Sequence, residues 1–304
     1  MVIGHKQILD FFEKATENNT LSHAYCFSGV DRIGKKTVAK QIASNLLKKD
    51  FKKLETSLDF IYLTRVIDEK TGKLKKDLSV LQIRELRSQL QMMSWGDGYK
   101  VVVIDESENL SEKASNALLK ILEEPGEKTI FFLISRHVEF LLETIRSRCQ
   151  TFHLAPLSDK ELEKGLVALN YNQKQIEEIL PYVNGRVGLA IDLLDNEDLF
   201  NDLKKTVKDC NSLISMPVYE RFEFLNKYLG GKKEEARGKE DLKKDIDFWI
   251  LEIRRVILEK ISKEKQDNIK IKQLGLLLDE MQKAKKLVSK NINPKLLIEN
   301  LFLN

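Results

Sequence analysis

One segment constrains this chain more than any other: Gly29-Val-Asp-Arg-Ile-Gly34-Lys35-Lys36-Thr37. It follows an apolar run, HAYCFSG, and leads into a helical pattern, TVAKQIASNLLKK. Strand, glycine loop and helix in that order nearly match the phosphate-loop pattern G-x-x-x-x-G-K-[ST]. The glycines let the backbone wrap so that successive N–H groups point at phosphate oxygens, and Lys35 would neutralise the outer phosphates. The next position should carry a hydroxyl for a magnesium ion. It is Lys36, whose ammonium only donates and repels a metal. Thr37 lies one residue late, roughly 100° around the helix. Taken alone, the segment also reads as a strand–helix turn with no ligand.

The run VVVID ends in adjacent acids, Asp105 and Glu106. At the end of a buried strand, Asp105 would face the metal and Glu106 would polarise water for attack on a phosphate. The alternative is two solvated acids. Further on, Thr144-Ile-Arg146-Ser147-Arg148-Cys149 offers an arginine at a helix end, suited to reach a phosphate held by a neighbour.

Buried-strand patterns (HAYCF, DFIYL at 59–63, VVVID at 101–105, IFFLIS at 130–135) alternate with helical ones at 6–18, 37–49, 80–93 and 111–125. VEFLLETIRSRC reads as a further short helix. On 80–93, Leu81, Ile83, Leu86 and Leu90 are taken as one apolar stripe. This alternation predicts an α/β domain with a parallel sheet covered on both faces. From about residue 157 the pattern is all-helical, opening on Ser158 with Glu161 three residues on, a capping box. The expected division is 1–156, 157–200 and 201–304, with 230–240 as a charged loop.

The net charge of +4 is too small to argue for nucleic acid by itself. Lysines at 48, 49, 52 and 53, and at 73, 75 and 76, have acids among them and read as solvated surface. Cys26, Cys149 and Cys210 are far apart, so no zinc module or disulfide framework is expected. No secretory signal or membrane-spanning run is read, and a reduced cytoplasmic setting is expected. The histidines at 5, 23, 137 and 153 show no ligand spacing. Trp95 and Trp249 read as packing anchors.

Together these pieces resemble the clamp-loader branch of the AAA+ ATPases, a P-loop family. The resemblance is strongest over IDESENLSEKASNALLKILEEPGEKTIFFLISRHVEFLLETIRSRCQTF and includes VIGHKQI and SHAYCFSG, covering about 1–200. It implies a three-layer AAA+ domain, a small helical lid and an all-α C-terminal collar. Within the family, the resemblance favours the delta-prime type over the ATP-hydrolysing gamma/tau type, which stays open as the alternative. Lys36 replaces the hydroxyl residue; Ser135-Arg136-His137 stands at sensor 1; and Gly188 stands where an active subunit has its sensor-2 arginine, with Arg186 two positions early. What this implies is a ring subunit with gamma/tau and delta in a hetero-pentamer, reaching the sliding clamp and primer-template DNA through the complex, with no membrane partner. Arg148 would act in trans, while Asp105 and Glu106 would be vestigial or weak in cis. ATP or ADP would bind weakly or not at all at Gly29, Gly34, Lys35, Lys36 and Thr37, and no metal or zinc is expected.

Overall fold

The computed structural model describes residues 2–91, 98–229, 239–262, 268–288 and 294–303. Trp95, Met92 and Met93 lie outside the described residues, as does most of the charged loop expected at 230–240. The chain divides into two compact units, Met1–Tyr171 with Gly185–Leu189, and Asn172–Asn184 with Ala190–Asn304.

The first unit is built on five parallel strands: β1 (Ala24–Ser28), β2 (Phe60–Leu63), β3 (Lys100–Ile104), β4 (Thr129–Ser135) and β5 (Gln150–His153). Their order across the sheet is β2-β3-β4-β1-β5. Helix α1 (Lys6–Glu17) precedes β1; α2 (Lys35–Leu47), α3 (Val80–Gln91), α4 (Glu112–Glu123) and α5 (Glu143–Arg146) lie between strands; α6 (Asp159–Ala168) follows β5.

Strand periodicity explains the layers. Side chains alternate across a strand, so Tyr25 and Phe27 join Val101, Val103, Ile130 and Phe132 on one face, packed by Phe12 of α1 and Val38 and Ile42 of α2. Ala24 and Cys26 join Val102, Ile104, Phe131 and Leu133 on the other, packed by Ile83 and Leu86 of α3 and Leu118 of α4. Because β1 and β4 are buried on both faces, they read as continuous apolar runs.

Three details differ from the sequence reading. β5 carries no apolar run, because it is an edge strand whose residues are mostly exposed; pairing to β1, with Tyr25 opposite Gln150, defines it. Leu81 is not part of the buried stripe: it is exposed while Ile83 and Leu86 are buried, since two residues along a helix turn roughly 200°. VEFLLETIRSRC is not one helix. A 3₁₀ turn at Val138–Phe140 and α5 are separated by Leu141, which is extended, and Leu142, which is not helical, and Leu141 is buried in the core.

The Ser158–Glu161 capping box forms in full at the start of α6. The second unit is helical: α7 (Gln173–Val183), most of α8 (Val187–Asp195), α9 (Glu197–Ser215), α10 (Val218–Tyr228), α11 (Lys239–Ser262), α12 (Asn268–Val288) and α13 (Pro294–Leu303). Its core gathers around Trp249, fully buried beside Cys210, Leu213, Ile246, Met281 and Phe302. The Trp249 indole donates to the Thr206 carbonyl at 3.1 Å. None of the described helices is long and apolar enough to cross a membrane.

Candidate functional site

The loop between β1 and α2 is the sharp turn its glycines predict. Gly29 has φ 148° and Gly34 φ 104°, values that L side chains rarely adopt. Gly29 is also pinned by space, because a Cβ there would lie 2.5 Å from the Leu154 carbonyl oxygen. Gly34 precedes α2 without a side-chain cap, so the open N-terminus of the helix faces the loop, an arrangement that favours anions. Lys35 is buried, and its ammonium donates to the Gly29 and Val30 carbonyls, the latter at 3.0 Å. Burial lowers its pKa, partly opposed by Asp31, Glu108 and Asp105. Lys36 and Thr37 are exposed.

Asp105 acts electrostatically on Lys35 of this loop, and the sheet register sets what surrounds the acid pair. Leu63 pairs with Ile104, so residues just past β2 stand next to Asp105 and Glu106. The Tyr62 hydroxyl donates to Asp105 Oδ2 at 2.6 Å, and the Glu106 amide donates to Asp105 Oδ1 at 2.9 Å. Burial, then the bond to Asp105, pushes the Tyr62 phenol well up. The Lys36 ammonium sits 4.2 Å from the Tyr62 ring centre, and Lys40 5.1 Å from it, within cation–π range. Arg65 holds Glu106 in a two-pronged pair, Nε to Oε2 at 2.7 Å and Nη2 to Oε1 at 2.8 Å. That pair holds the Glu106 carboxyl below its ordinary pKa against the opposing effect of burial. Glu106 itself has φ 52°.

These contacts bear on a magnesium ion. Its hydroxyl ligand position is Lys36, and all four oxygens of Asp105 and Glu106 accept bonds from within the chain. The donor set does not fit the metal. Glu106 is also a poor base here, because an arginine-paired carboxylate binds a proton weakly. Among the described residues, no group of three or more His, Cys, Asp or Glu is placed to hold a metal ion.

The sensor positions are engaged locally. Ser135 Oγ donates to the His137 carbonyl at 2.8 Å. Arg136 reaches across to the phosphate loop, with Nε 2.8 Å from Asp31 Oδ1 and 3.6 Å from Glu108 Oε1. Gly188 donates its N–H to the Arg32 carbonyl at 2.7 Å, and a Cβ there would lie 2.9 Å from the same oxygen. Glycine at this position therefore serves close backbone approach to the phosphate loop.

Arg148 lies apart from this cluster in sequence and follows α5. Its guanidinium donates to the Thr144 carbonyl at 2.9 Å and to Glu123 Oε1 at 2.7 Å, at 35% side-chain exposure. An exposed pair of this kind is worth at most about 1 kcal/mol, so Glu123 orients the arginine without locking it. Cys149 beside it is partly buried, and burial pushes its thiol up to about 12; it is no nucleophile.

The sequence reading found the loop, the acid pair and the arginine, but missed Tyr62, Arg65, Asp31 and Glu108 as parts of the site. The signal for Arg65 was present: a basic residue just after a strand that pairs in parallel with the strand ending in Asp105.

A parallel sheet in this order, with a phosphate loop after β1, an acid pair after β3 and the Gly188 backbone closed against the loop, defines a P-loop domain of the AAA+ kind. A family model described as "DNA polymerase III, delta subunit" matches residues 4–158, and the chain belongs to that clamp-loader family. It is 26% identical over 321 aligned positions to DNA polymerase III subunit delta' of Bacillus subtilis, covering 98% of this chain and 94% of that protein. It is 28% identical over 249 positions to subunit gamma of Buchnera aphidicola (strain Sg), covering 75% of this chain and 66% of that protein. A shorter stretch of 82 residues is 45% identical to subunit delta' of Escherichia coli, 27% of this chain and 25% of that protein. A gamma subunit-related protein of Thermotoga maritima shares the fold, with a TM-score of 0.53 at 18% identity, covering 96% of this chain and 97% of that one.

Proposed function

We infer that this chain is a delta-prime-type stator subunit of the DNA polymerase III clamp loader. It sits in a five-membered ring with gamma/tau and delta subunits that loads the sliding clamp onto primer-template DNA. The division into an AAA+ domain (1–156), lid (157–200) and oligomerising collar (201–304) belongs to the same reading. The observation that carries it is the contrast between two sites. The chain's own acids are spent, Asp105 on Tyr62 and Glu106 on Arg65, whereas the Arg148 guanidinium is held by exposed bonds to Glu123 and the Thr144 carbonyl, which are weak.

In this reading Arg148 exchanges Glu123 for the γ-phosphate of ATP on a neighbouring subunit. Its planar guanidinium neutralises charge that grows on the phosphoryl oxygens as the bond to the leaving group lengthens. Such an arginine accelerates hydrolysis by roughly 10³-fold or more at the site it serves. The test is a reconstituted ring containing Arg148→Ala. Loss of DNA- and clamp-stimulated ATPase at that site, with assembly intact by gel filtration, is expected; an undiminished rate rejects the role.

A gamma/tau-type ATPase is the second reading, favoured by 28% identity to a gamma subunit over three-quarters of the chain. Turnover by the isolated chain that Glu106→Gln abolishes would establish it.

A further inference from the structure

Lys36 does more than remove a metal ligand. Its ammonium is seated 4.2 Å from the centre of the Tyr62 ring. The ring is held in place by its hydroxyl, which donates to Asp105 at 2.6 Å. The metal-side acid thus carries a neutral hydrogen-bond donor, and a cation belonging to the chain stands on the other side of that donor. Arg136 supplies a second cation from the end of β4, paired with Asp31 of the loop. Lys35 is a third, folded onto the Gly29 and Val30 carbonyls. The loop retains what a phosphate chain needs: two glycines at positive φ and an α2 N-terminus with no side-chain cap.

We propose that this loop binds the polyphosphate of a nucleoside di- or triphosphate without a divalent metal, with the Lys36 ammonium on its Tyr62 platform standing in for magnesium. The chemistry is simple charge replacement. Phosphate oxygens near the first turn of α2 need a cation beside them, and a tethered ammonium supplies one at no cost in immobilisation, because Tyr62 already orders it. Lys35 leaves the loop carbonyls for the phosphates. Arg136 can turn from Asp31 to the outer phosphate, since both partners of that pair are 40% exposed and such pairs hold weakly. The buried Glu108 Oε2, which has no hydrogen-bond partner among the described residues, lies in the field of Lys35 and Arg136 and can accept from either as they rearrange. No bond is made or broken, so the bound nucleotide is structural. This inference is independent of the ring assignment and of Arg148.

The test is calorimetric titration of the isolated full chain with ADP and ATP, in excess magnesium and in EDTA. Wild type is expected to bind in EDTA and to bind more weakly in excess magnesium, more so for ATP than for ADP, because metal in solution competes with Lys36 for the same phosphate oxygens. Lys36→Met is expected to weaken binding about tenfold in both, and Lys36→Arg to restore it. Lys35→Ala is expected to abolish binding, with circular dichroism melts confirming that the variants are folded. Binding that needs magnesium, undiminished affinity in Lys36→Met, or no binding by folded wild type would each overturn the proposal. Each outcome leaves the Arg148 assay to stand or fall separately.

Discussion

The Arg65–Glu106 pair yields the sharpest quantitative expectation. Replacing Arg65 with Met keeps most of its length and removes both donors. The pair is bidentate at 2.7 and 2.8 Å, and its side chains are 20% and 28% exposed. It therefore lies between exposed pairs, worth at most about 1 kcal/mol, and buried ones, whose disruption costs about 3–5 kcal/mol. An interaction of about 1.5 kcal/mol near neutral pH is the resulting figure. In a unit of this size that lowers the melting temperature by roughly 3–6 °C. The sign with pH follows from Glu106, whose folded pKa is depressed. Its stabilisation is complete above the unfolded pKa of about 4.3 and disappears as pH falls through the lower folded value. The assay is denaturation of wild type, Arg65→Met, Glu106→Gln and the double variant, forming a double-mutant cycle at each pH. The coupling should be present at neutral pH and vanish in acid. Wild-type stability in Arg65→Met at neutral pH, or a coupling that persists unchanged in acid, would refute the argument.

Three further outcomes follow from packing and burial. Gly29→Ala meets both a φ of 148° and the Leu154 carbonyl at 2.5 Å, so it should cost about 3 kcal/mol or more in chemical denaturation. Trp249→Ala empties the centre of the second unit's core and removes the indole's bond to the Thr206 carbonyl; a loss of about 3–5 kcal/mol is expected, read by loss of helical circular dichroism at lower denaturant. Cys26 and Cys149, with thiols pushed up to about 12 by burial, should react slowly with a disulfide reagent at neutral pH and fully on unfolding.

Much of the first unit was legible because its central strands are buried on both faces. β1, β3 and β4 are therefore runs of apolar residues that need no context. Local rules also sufficed for the capping box at Ser158 and the glycine loop, since each is closed by residues a few positions apart. β5 and the split at Leu141–Leu142 were hidden for the opposite reason. An edge strand is defined by its partner rather than its composition, and helical periodicity over twelve residues does not reveal which leucine the core will claim.

The sequence by itself determined which chemical groups are available: Lys35 in a phosphate loop, Lys36 where a hydroxyl would serve a metal, Asp105 and Glu106 at a strand end, and Arg148 after a short helix. It also determined the family, through motifs whose residues are contiguous. Only the tertiary structure decided how those groups are spent. Asp105 is capped by Tyr62, Glu106 is held by Arg65 from 41 residues away, and Gly188 closes onto Arg32. The parallel register that puts the end of β2 beside the end of β3 makes those first two contacts. Register is a property of paired strands, which no single strand's sequence contains.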